Sequence, residues 1–263
     1  MSYKIVFFDI DGTLVNEEKV VPQDTIDAVR ELKASGVEPV IATGRAPYFF
    51  RPLLEQLGLE SFVSLNGAYV VYKGEALYSR VIPKTSLQLL VEHAAKNNHA
   101  LVFQSHEAFF TNSQEHQHVF DSVASLKVNQ PGYDPDYWKT ADIYQAFLHC
   151  SAEEEALYKD VLADLQLVRW HPSAMDVLPV GGSKAQGIQA LLAHLGIPPE
   201  EAVAFGDGLN DKEMLKYVGL GIAMGNSNPE LLPYADFVTA HVDESGIRKG
   251  LEHAGLLPAA SRA

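Results

Sequence analysis

Apolar positions along the first eighty residues follow two rhythms in turn. Residues 4–8 form a continuous β-branched and aromatic run that stops at Asp9, the pattern of a strand buried on both faces. Residues 22–34 place Ile26, Val29 and Leu32 at helical spacing, with Pro22 where a first turn tolerates proline and Gly36 as the stop. A second apolar run at 37–42, a helical pattern at 47–57 and a third run at 62–65 complete a βαβαβ stretch. That alternation predicts a parallel sheet with helices on both faces, a doubly wound, Rossmann-like α/β fold.

Beyond residue 68 the pattern changes. Segments 69–72 and 76–82 read as a hairpin across Lys73 and Gly74, and Pro83 marks a boundary. Residues 84–180 mix predicted helices (86–97, 152–165) with short strands (101–104, 143–150, 167–170), around an irregular Pro-, Gly-, Asp- and Tyr-rich piece at 130–139. After Gly181 and Gly182 the α/β rhythm resumes: helix 185–195, strand 202–205, helix 209–217, strand 220–224 and a closing helix near 246–253. The expected organisation is a discontinuous core, 1–82 and 181–263, split by an inserted α+β domain at 83–180.

Composition narrows the classes of partner. Hydrophobic residues make up 47% of the 263 residues and charged residues 21%, so the whole length can bury a core. The formal net charge of −14 repels nucleic acid and anionic membranes, and neither is expected as a partner. An anionic small molecule would need a local cluster of cations. The single cysteine, Cys150, fits a reducing compartment, and the opening apolar run is too short for a signal-peptide core or a membrane span. A cytoplasmic protein, monomeric or weakly homodimeric, is the expectation.

The chemistry sits at strand ends, where open α/β sheets place ligands. Asp9-Ile10-Asp11-Gly12-Thr13-Leu14 follows the first run; on its own an Asp-x-Asp is also a common solvated turn, and a calcium loop would want glycine where Leu14 stands. Gly206-Asp207-Gly208-Leu209-Asn210-Asp211 follows the run at 202–205, and alone it would serve as a helix cap. Two acidic strand ends in one parallel sheet suit a hard divalent cation, since oxygen ligands and water are what magnesium accepts. Ala42-Thr43-Gly44-Arg45 and Gly182-Ser183-Lys184 supply a hydroxyl, backbone N–H groups and a point charge suited to phosphate oxygens.

Together with Ser64-Leu65-Asn66-Gly67-Ala68 and Ala223-Met224-Gly225-Asn226, these motifs occur in an order that resembles the haloacid dehalogenase superfamily phosphatases of the Cof type, which carry a C2-type (class IIB) α/β cap between the second and third motifs. The resemblance covers residues 3–82 and 181–252. It implies that Asp9 is a nucleophile forming an aspartyl phosphate and that Asp11 is the general acid and base. It implies that Asp9, Asp207 and the Asp11 carbonyl bind Mg2+, and that Thr43, Gly44, Lys184 and Asn210 hold phosphate, with Asp211, Arg45 and Asn66 in support. The implied activity is hydrolysis of small phosphomonoesters such as sugar phosphates, nucleotides or phosphorylated cofactors. A phosphotransferase or mutase, or an idle binding protein of the same fold, are the alternatives.

Acting as an acid requires Asp11 to hold a proton, so its pKa is expected to be raised. Arg45 is expected either to touch substrate or to brace its loop against Asn66. By residue type, His106, Phe109, Phe110, Asn112 and Tyr133 are candidates for choosing the leaving group. His116 and His118, two residues apart, suit no metal motif.

Overall fold

The computed structural model describes residues 2–158 and 162–259. Two compact units emerge, one from Met1–Arg45, Phe50–Tyr78 and Ser183–Ala263, the other from Ala46–Phe49 and Ser79–Gly182.

The first unit begins with β1 (Ile5–Phe8), α1 (Gln23–Ala34), β2 (Glu38–Ala42), α2 (Pro47–Leu57, of which Pro47–Phe49 belong to the second unit), β3 (Phe62–Ser64), β4 (Tyr69–Tyr72) and β5 (Glu75–Ser79, whose last residue belongs to the second unit). The second follows with α3 (Lys84–Lys96), β6 (Ala100–Gln104), β7 (Phe109–Thr111), α4 (Gln117–Ser125), β8 (Gly132–Tyr133), α5 (Tyr137–Thr140), β9 (Gln145–His149), β10 (Leu165–His171) and β11 (Ala174–Pro179). The chain returns to the first unit with α6 (Lys184–Leu195), β12 (Ala202–Gly206), α7 (Lys212–Tyr217), β13 (Leu220–Ala223), β14 (Phe237–Val238) and α8 (Gly246–His253).

The first sheet runs β14-β13-β12-β1-β2-β3-β4-β5. Its members from β14 to β3 are parallel, and β4 turns back antiparallel to β3. Val6 and Phe8 join the core on the α1 and α8 side, while Ile5 and Phe7 join the one on the α6 and α7 side. A strand covered on both faces has no polar alternation to offer, which is why β1 reads as an unbroken apolar run. Register then aligns the strand ends: Phe8 pairs with Phe205 on one side and Ile41 on the other. The residues just beyond, Asp9, Gly206-Asp207 and Ala42-Thr43, therefore emerge at one edge of the sheet.

The second unit is a sheet of order β10-β11-β9-β6-β7-β8, antiparallel except for β7 with β8. Leu87, Leu90 and Ala94 of α3 pack on one face with Leu101, Phe103, Leu148 and Met175; Val119 and Val123 of α4 pack on the other with Ala100, Val102 and Phe147. Several elements differ from the sequence expectation. The helix expected at 152–165 is a 3-10 turn at Glu154–Tyr158; residues 159–161 lie outside the described residues, and Leu165 already belongs to β10, paired with Pro179. The helix expected at 209–217 opens instead as a 3-10 turn, Leu209–Asp211, before α7. Strands β7 and β11 and helix α4 were not expected, and the irregular 130–139 piece supplies β8 and α5.

Candidate active site

Four loops at the ends of β1, β2 and β12 and the start of α6 place their polar side chains together, all within the first unit. Asp9 is buried, its backbone N–H donating to the Phe205 carbonyl at 3.0 Å, so the strand pairing itself fixes where the carboxylate stands. Gly12 turns the chain with φ 77°, and a Cβ there would lie 2.2 Å from Asp207 Oδ2. Glycine is therefore required both for the backbone and for the approach of the second acidic loop. Thr13 Oγ1 donates to Asp207 Oδ1 at 3.1 Å, and Asn226 ties the loop from outside, donating to the Gly12 carbonyl at 2.7 Å and accepting from Val242 N–H at 2.9 Å.

Lys184, the first residue of α6, is fully buried, with Nζ 2.5 Å from Asp9 Oδ1 and 2.6 Å from Asp211 Oδ1. Its helix start is held against the Ser64–Ala68 loop: a Cβ on Gly67 (φ 89°) would meet the Ser183 carbonyl at 2.0 Å. Asp211 is equally buried and spends its other oxygen on the N–H groups of Asp207 (3.0 Å) and Gly208 (2.9 Å). It thus braces Lys184 and shapes the Asp207 loop.

One ligand atom each from Asp9, Asp207 and Asp211 lie within 4.8 Å of one another. Three carboxylates around one ammonium leave a formal excess of two negative charges. The electrostatics follow from that excess. Burial, then the charges of Asp211, Asp207 and Asp11, push the Asp9 carboxyl well above its ordinary range against the pull of Lys184. Burial and then Asp211 push Asp207 up to about 7. Burial works against the charge of Lys184, but Asp211 and Asp9 outweigh it and its pKa rises. A buried oxygen cluster short of two positive charges fits a hard divalent cation. Asp9 and Asp207 have oxygens to offer it, whereas those of Asp211 are already bonded.

Asp11 behaves differently from the expectation. Its side chain leaves this cluster and pairs with Arg45, Nε to Oδ2 at 2.6 Å and Nη2 to Oδ1 at 2.8 Å, and with Lys19 Nζ to Oδ1 at 2.5 Å. Burial alone would raise its pKa, but Arg45 and then Lys19 outweigh it, and the carboxyl is held below the usual range rather than above it. The Arg45 side chain pairs with Asp11, while its backbone carbonyl accepts from the Leu65 N–H at 3.1 Å, beside Asn66. Asn66, in the left-handed region at φ 52°, donates its N–H to the Thr43 carbonyl at 3.2 Å, and its Oδ1 accepts from Asn210 Nδ2 at 3.3 Å. A Cβ on Gly44 would sit 3.0 Å from that same Oδ1, so Gly44, Asn66 and Asn210 adjoin. Thr43 is buried, and its Oγ1 accepts from the Arg45 N–H at 3.1 Å.

Lys19 is the residue that sequence reasoning missed. Its signal was faint: it is the sole basic residue between Lys4 and Arg30, in an otherwise acidic turn, Asn16-Glu17-Glu18-Lys19. In the second unit, Asn112 is structural, its Oδ1 accepting from Leu101 N–H at 2.8 Å. Phe109 stacks on Tyr48 at 5.5 Å, Phe110 packs on Tyr137 at 4.5 Å and His106 meets Tyr144 at 5.8 Å, while Tyr133 is half exposed. The rings of His116 and His118 lie 5.4 Å apart; among the described residues the Asp9, Asp207 and Asp211 group is the one set of three metal-type ligands that converges. No helix among them is long and apolar enough to cross a membrane.

Known proteins place the chain. The family model described as haloacid dehalogenase-like hydrolase matches residues 6–251. The Bacillus subtilis (strain 168) protein named “Putative phosphatase YkrA” is 41% identical over 257 residues, covering 98% of this chain and 100% of that one. The crystal structure of a hypothetical protein from Geobacillus kaustophilus HTA426 superposes with a TM-score of 0.92 at 50% identity, covering 97% of this chain and 100% of that one. BT1666 of Bacteroides thetaiotaomicron, described among the phosphatases of the haloalkanoate (HAD) enzyme superfamily, superposes with a TM-score of 0.90 at 31% identity, covering 97% of this chain and 96% of that one. With strand-end carboxylates, a buried lysine and a match that runs from β1 into α8, the chain belongs to the haloacid dehalogenase-like hydrolases.

Proposed function

We propose that this hydrolase is a magnesium-dependent phosphatase that cleaves small phosphomonoesters, such as sugar phosphates, nucleotides or phosphorylated cofactors, through a phosphoryl group carried on Asp9. The observation that carries the reading is the buried Lys184 held 2.5 Å from Asp9, beside two further carboxylates whose charge it does not balance.

The difficulty that the site must solve is electrostatic. Unit like charges about 4 Å apart repel by roughly 4 kcal/mol at an effective dielectric near 20, and a phosphate ester carries two. Bound magnesium, held by the Asp9 and Asp207 carboxylates and the Asp11 carbonyl, would supply the positive charge that lets a carboxylate approach phosphorus. Lys184 contributes a fixed charge with its own partners already in place, so no reorganisation is needed when the phosphoryl group arrives. Thr43 and the N–H groups of its loop, Gly44 included, hold phosphate oxygens with Asn210. Asp211 keeps Lys184 aimed at Asp9, and Asn66 braces Gly44 and Asn210.

Asp9 attacks phosphorus; a bond from Asp9 to phosphorus forms as the ester oxygen leaves with a proton from Asp11, which must first give up its pairing with Arg45 and Lys19 and take up that proton from solvent. Water then attacks the same phosphorus, giving a proton back to Asp11 and releasing phosphate and the Asp9 carboxylate. Residues 83–180 are read as the inserted cap domain of this enzyme class, and the leaving group is the part of the substrate it would select.

The test is phosphate release from a panel of phosphorylated sugars, nucleotides and cofactors, with magnesium, after chelation, and after magnesium is restored. Release without any added acceptor is expected, lost with chelator and regained with the metal; this would also set aside the phosphotransferase reading. Undiminished release in chelator would overturn the metal requirement, and release by an Asp9→Asn variant at the native rate would overturn the nucleophile.

A further inference from the structure

Strand β6, Ala100–Gln104, is buried throughout, yet its last residue is polar. Alternation along the strand decides where that residue sits. Leu101 and Phe103 belong to the core beneath α3, and Ala100 and Val102 to the one beneath α4, so Gln104 falls on the α4 side. Register sets Phe109 of β7 and Gln145 of β9 opposite it, one on either side. Gln145 Nε2 reaches on to Asp176 Oδ1 of β11 at 3.1 Å. A polar row thus crosses β6, β9 and β11 and ends at the ring of Phe109. Tyr48, which groups with the second unit, stacks on that ring at 5.5 Å. Two members of this group lack what buried polar atoms ordinarily have. Gln104 is 1% exposed, and neither Oε1 nor Nε2 has a hydrogen-bond partner among the described residues. The Tyr48 hydroxyl, beside the same phenylalanine, is buried without such a partner too. A leucine at position 104 would fill the strand without stranding an amide. What glutamine adds there is hydrogen-bonding capacity that the chain itself leaves unused.

We infer that Gln104, with Tyr48 and with Gln145 steadied by Asp176, binds the leaving group of the ester, and that this group is uncharged and rich in hydroxyls, as a sugar is. The inference rests on the reading, given above, of residues 83–180 as the part that selects the leaving group. An amide offers N–H donors and carbonyl lone pairs side by side, and a phenol offers a donor and an acceptor on one oxygen. Neighbouring hydroxyls on a carbon chain match that set: one donates to Gln104 Oε1 while the next accepts from Nε2. Burial and then Tyr137 raise the Tyr48 pKa, so it meets the ligand as a neutral hydroxyl. The charged member of the row is an acid, Asp176, which disfavours a leaving group that carries a second phosphate or a carboxylate. A nucleobase would want an aromatic face to stack on. Tyr48, Phe49 and Phe109 instead engage one another, with ring centres 4.5, 4.9 and 5.5 Å apart.

The discriminating measurement, made with magnesium, is a ratio of kcat/KM values: the best of glucose 6-phosphate, ribose 5-phosphate and sorbitol 6-phosphate over n-hexyl phosphate. These esters share a primary alkyl leaving oxygen and differ in hydroxyls. For the native protein the ratio is expected to be at least about 100, since a site built to bond hydroxyls rejects an analogue without them. Gln104→Leu should lower it by about 10- to 100-fold, and Tyr48→Phe, which keeps the ring, by about 3- to 10-fold. The urea midpoint of Gln104→Leu is expected at or above the native value, as an amide with a structural task would not allow. A native ratio near one, a ratio unchanged in Gln104→Leu, or a midpoint lowered as far as in Gln145→Leu would overturn the inference. Adenosine 5′-phosphate is the further ester: if Gln104→Leu lowers its rate relative to n-hexyl phosphate and leaves the sugar ratio intact, the amide reads a base and the ligand class is wrong. Phosphate released equally from the sugar and hexyl esters sinks this inference alone and leaves the phosphatase standing. Release from none of the esters removes the phosphatase reading and this inference with it.

Discussion

The two units bury polar groups on opposite terms. The first holds Asp9, Asp211 and Lys184 out of water and locks them to one another at 2.5 and 2.6 Å. In the second, the buried polar side chains among the described residues include no Asp, Glu, Lys or Arg; they are neutral, such as Gln104, Gln145, Ser122 and His149. Buried charge is costly unless paired, and a protein accepts it where chemistry demands a fixed field. Buried neutral polarity is cheaper and needs only hydrogen bonds. The contrast separates a unit built to carry out a reaction from one built around an ordinary packed sheet.

The sharpest way to probe that contrast is to uncouple activity from stability in the first unit. Asp9→Asn keeps the shape but removes one of three crowded carboxylates, so turnover is expected to fall by about four to six orders of magnitude while the fold is retained. Phosphate release and thermal unfolding measured on one preparation check both halves; parallel loss of the two would mean that Asp9 is mainly a structural anchor. Lys184→Met does the reverse, leaving Asp9 and Asp211 buried with no counter-charge. It should cost about 3–5 kcal/mol in urea unfolding, beyond its effect on turnover. A loss below about 1 kcal/mol would show that the ammonium is not what makes this burial tolerable.

These residues were readable in advance because fully buried parallel strands leave a plain trace. The apolar runs of β1 and β12 end at Asp9 and Gly206-Asp207, and pairing of Phe8 with Phe205 makes those ends coincide. What Asp11 does was not readable. Its partners, Arg45 and Lys19, come from long side chains whose directions depend on a left-handed turn and on a loop 34 residues away, and neither leaves a periodic mark. The expectation of a raised Asp11 pKa considered burial and like charges and omitted both cations. In the second unit, β7 spans three residues and β8 two, too short for alternation to register. Apolar residues up to Leu165 suggested a helix over 152–165, yet Leu165 is already a strand residue of β10, paired with Pro179 of β11, while the strand expected at 167–170 lies within β10.

Acid should distinguish the units next. His149 is buried, with Nδ1 3.3 Å from the Ala100 carbonyl and Nε2 2.9 Å from Ser122 Oγ. A carbonyl only accepts, so Nδ1 carries a hydrogen. Burial first, then the neighbouring His116, His118 and His171, lower its pKa from 6.5 to about 3, against the Ala100 carbonyl, which favours the charged ring. Between those values the unfolded chain binds a proton that the folded chain refuses. The contribution is therefore complete above pH 6.5 and is lost as pH falls, by up to about 1.4 kcal/mol per pH unit, or about 2 kcal/mol by pH 5. Urea unfolding of the native protein and His149→Gln from pH 7 to 5 should show a shallower slope in the variant. Identical slopes would remove His149 from the account.

Within the second unit, two neighbouring glutamines offer the finest comparison. Gln104 and Gln145 pair in register across β6 and β9 and are equally buried. Gln145 Nε2 donates to Asp176 Oδ1 at 3.1 Å, whereas neither side-chain polar atom of Gln104 has a hydrogen-bond partner among the described residues. Removing a bonded amide strands its partner and costs about 1–3 kcal/mol; replacing an unbonded one with an apolar group of similar size removes a desolvation cost instead. Gln145→Leu should therefore destabilise the fold by that amount. Gln104→Leu should leave it within about 1 kcal/mol of the native protein, on the stabilising side, as the hydrophobic transfer of a leucine opposes nothing that the amide was contributing. Urea midpoints for the two variants at pH 7 decide the matter. If Gln104→Leu loses as much as Gln145→Leu, the Gln104 amide is bonded in solution.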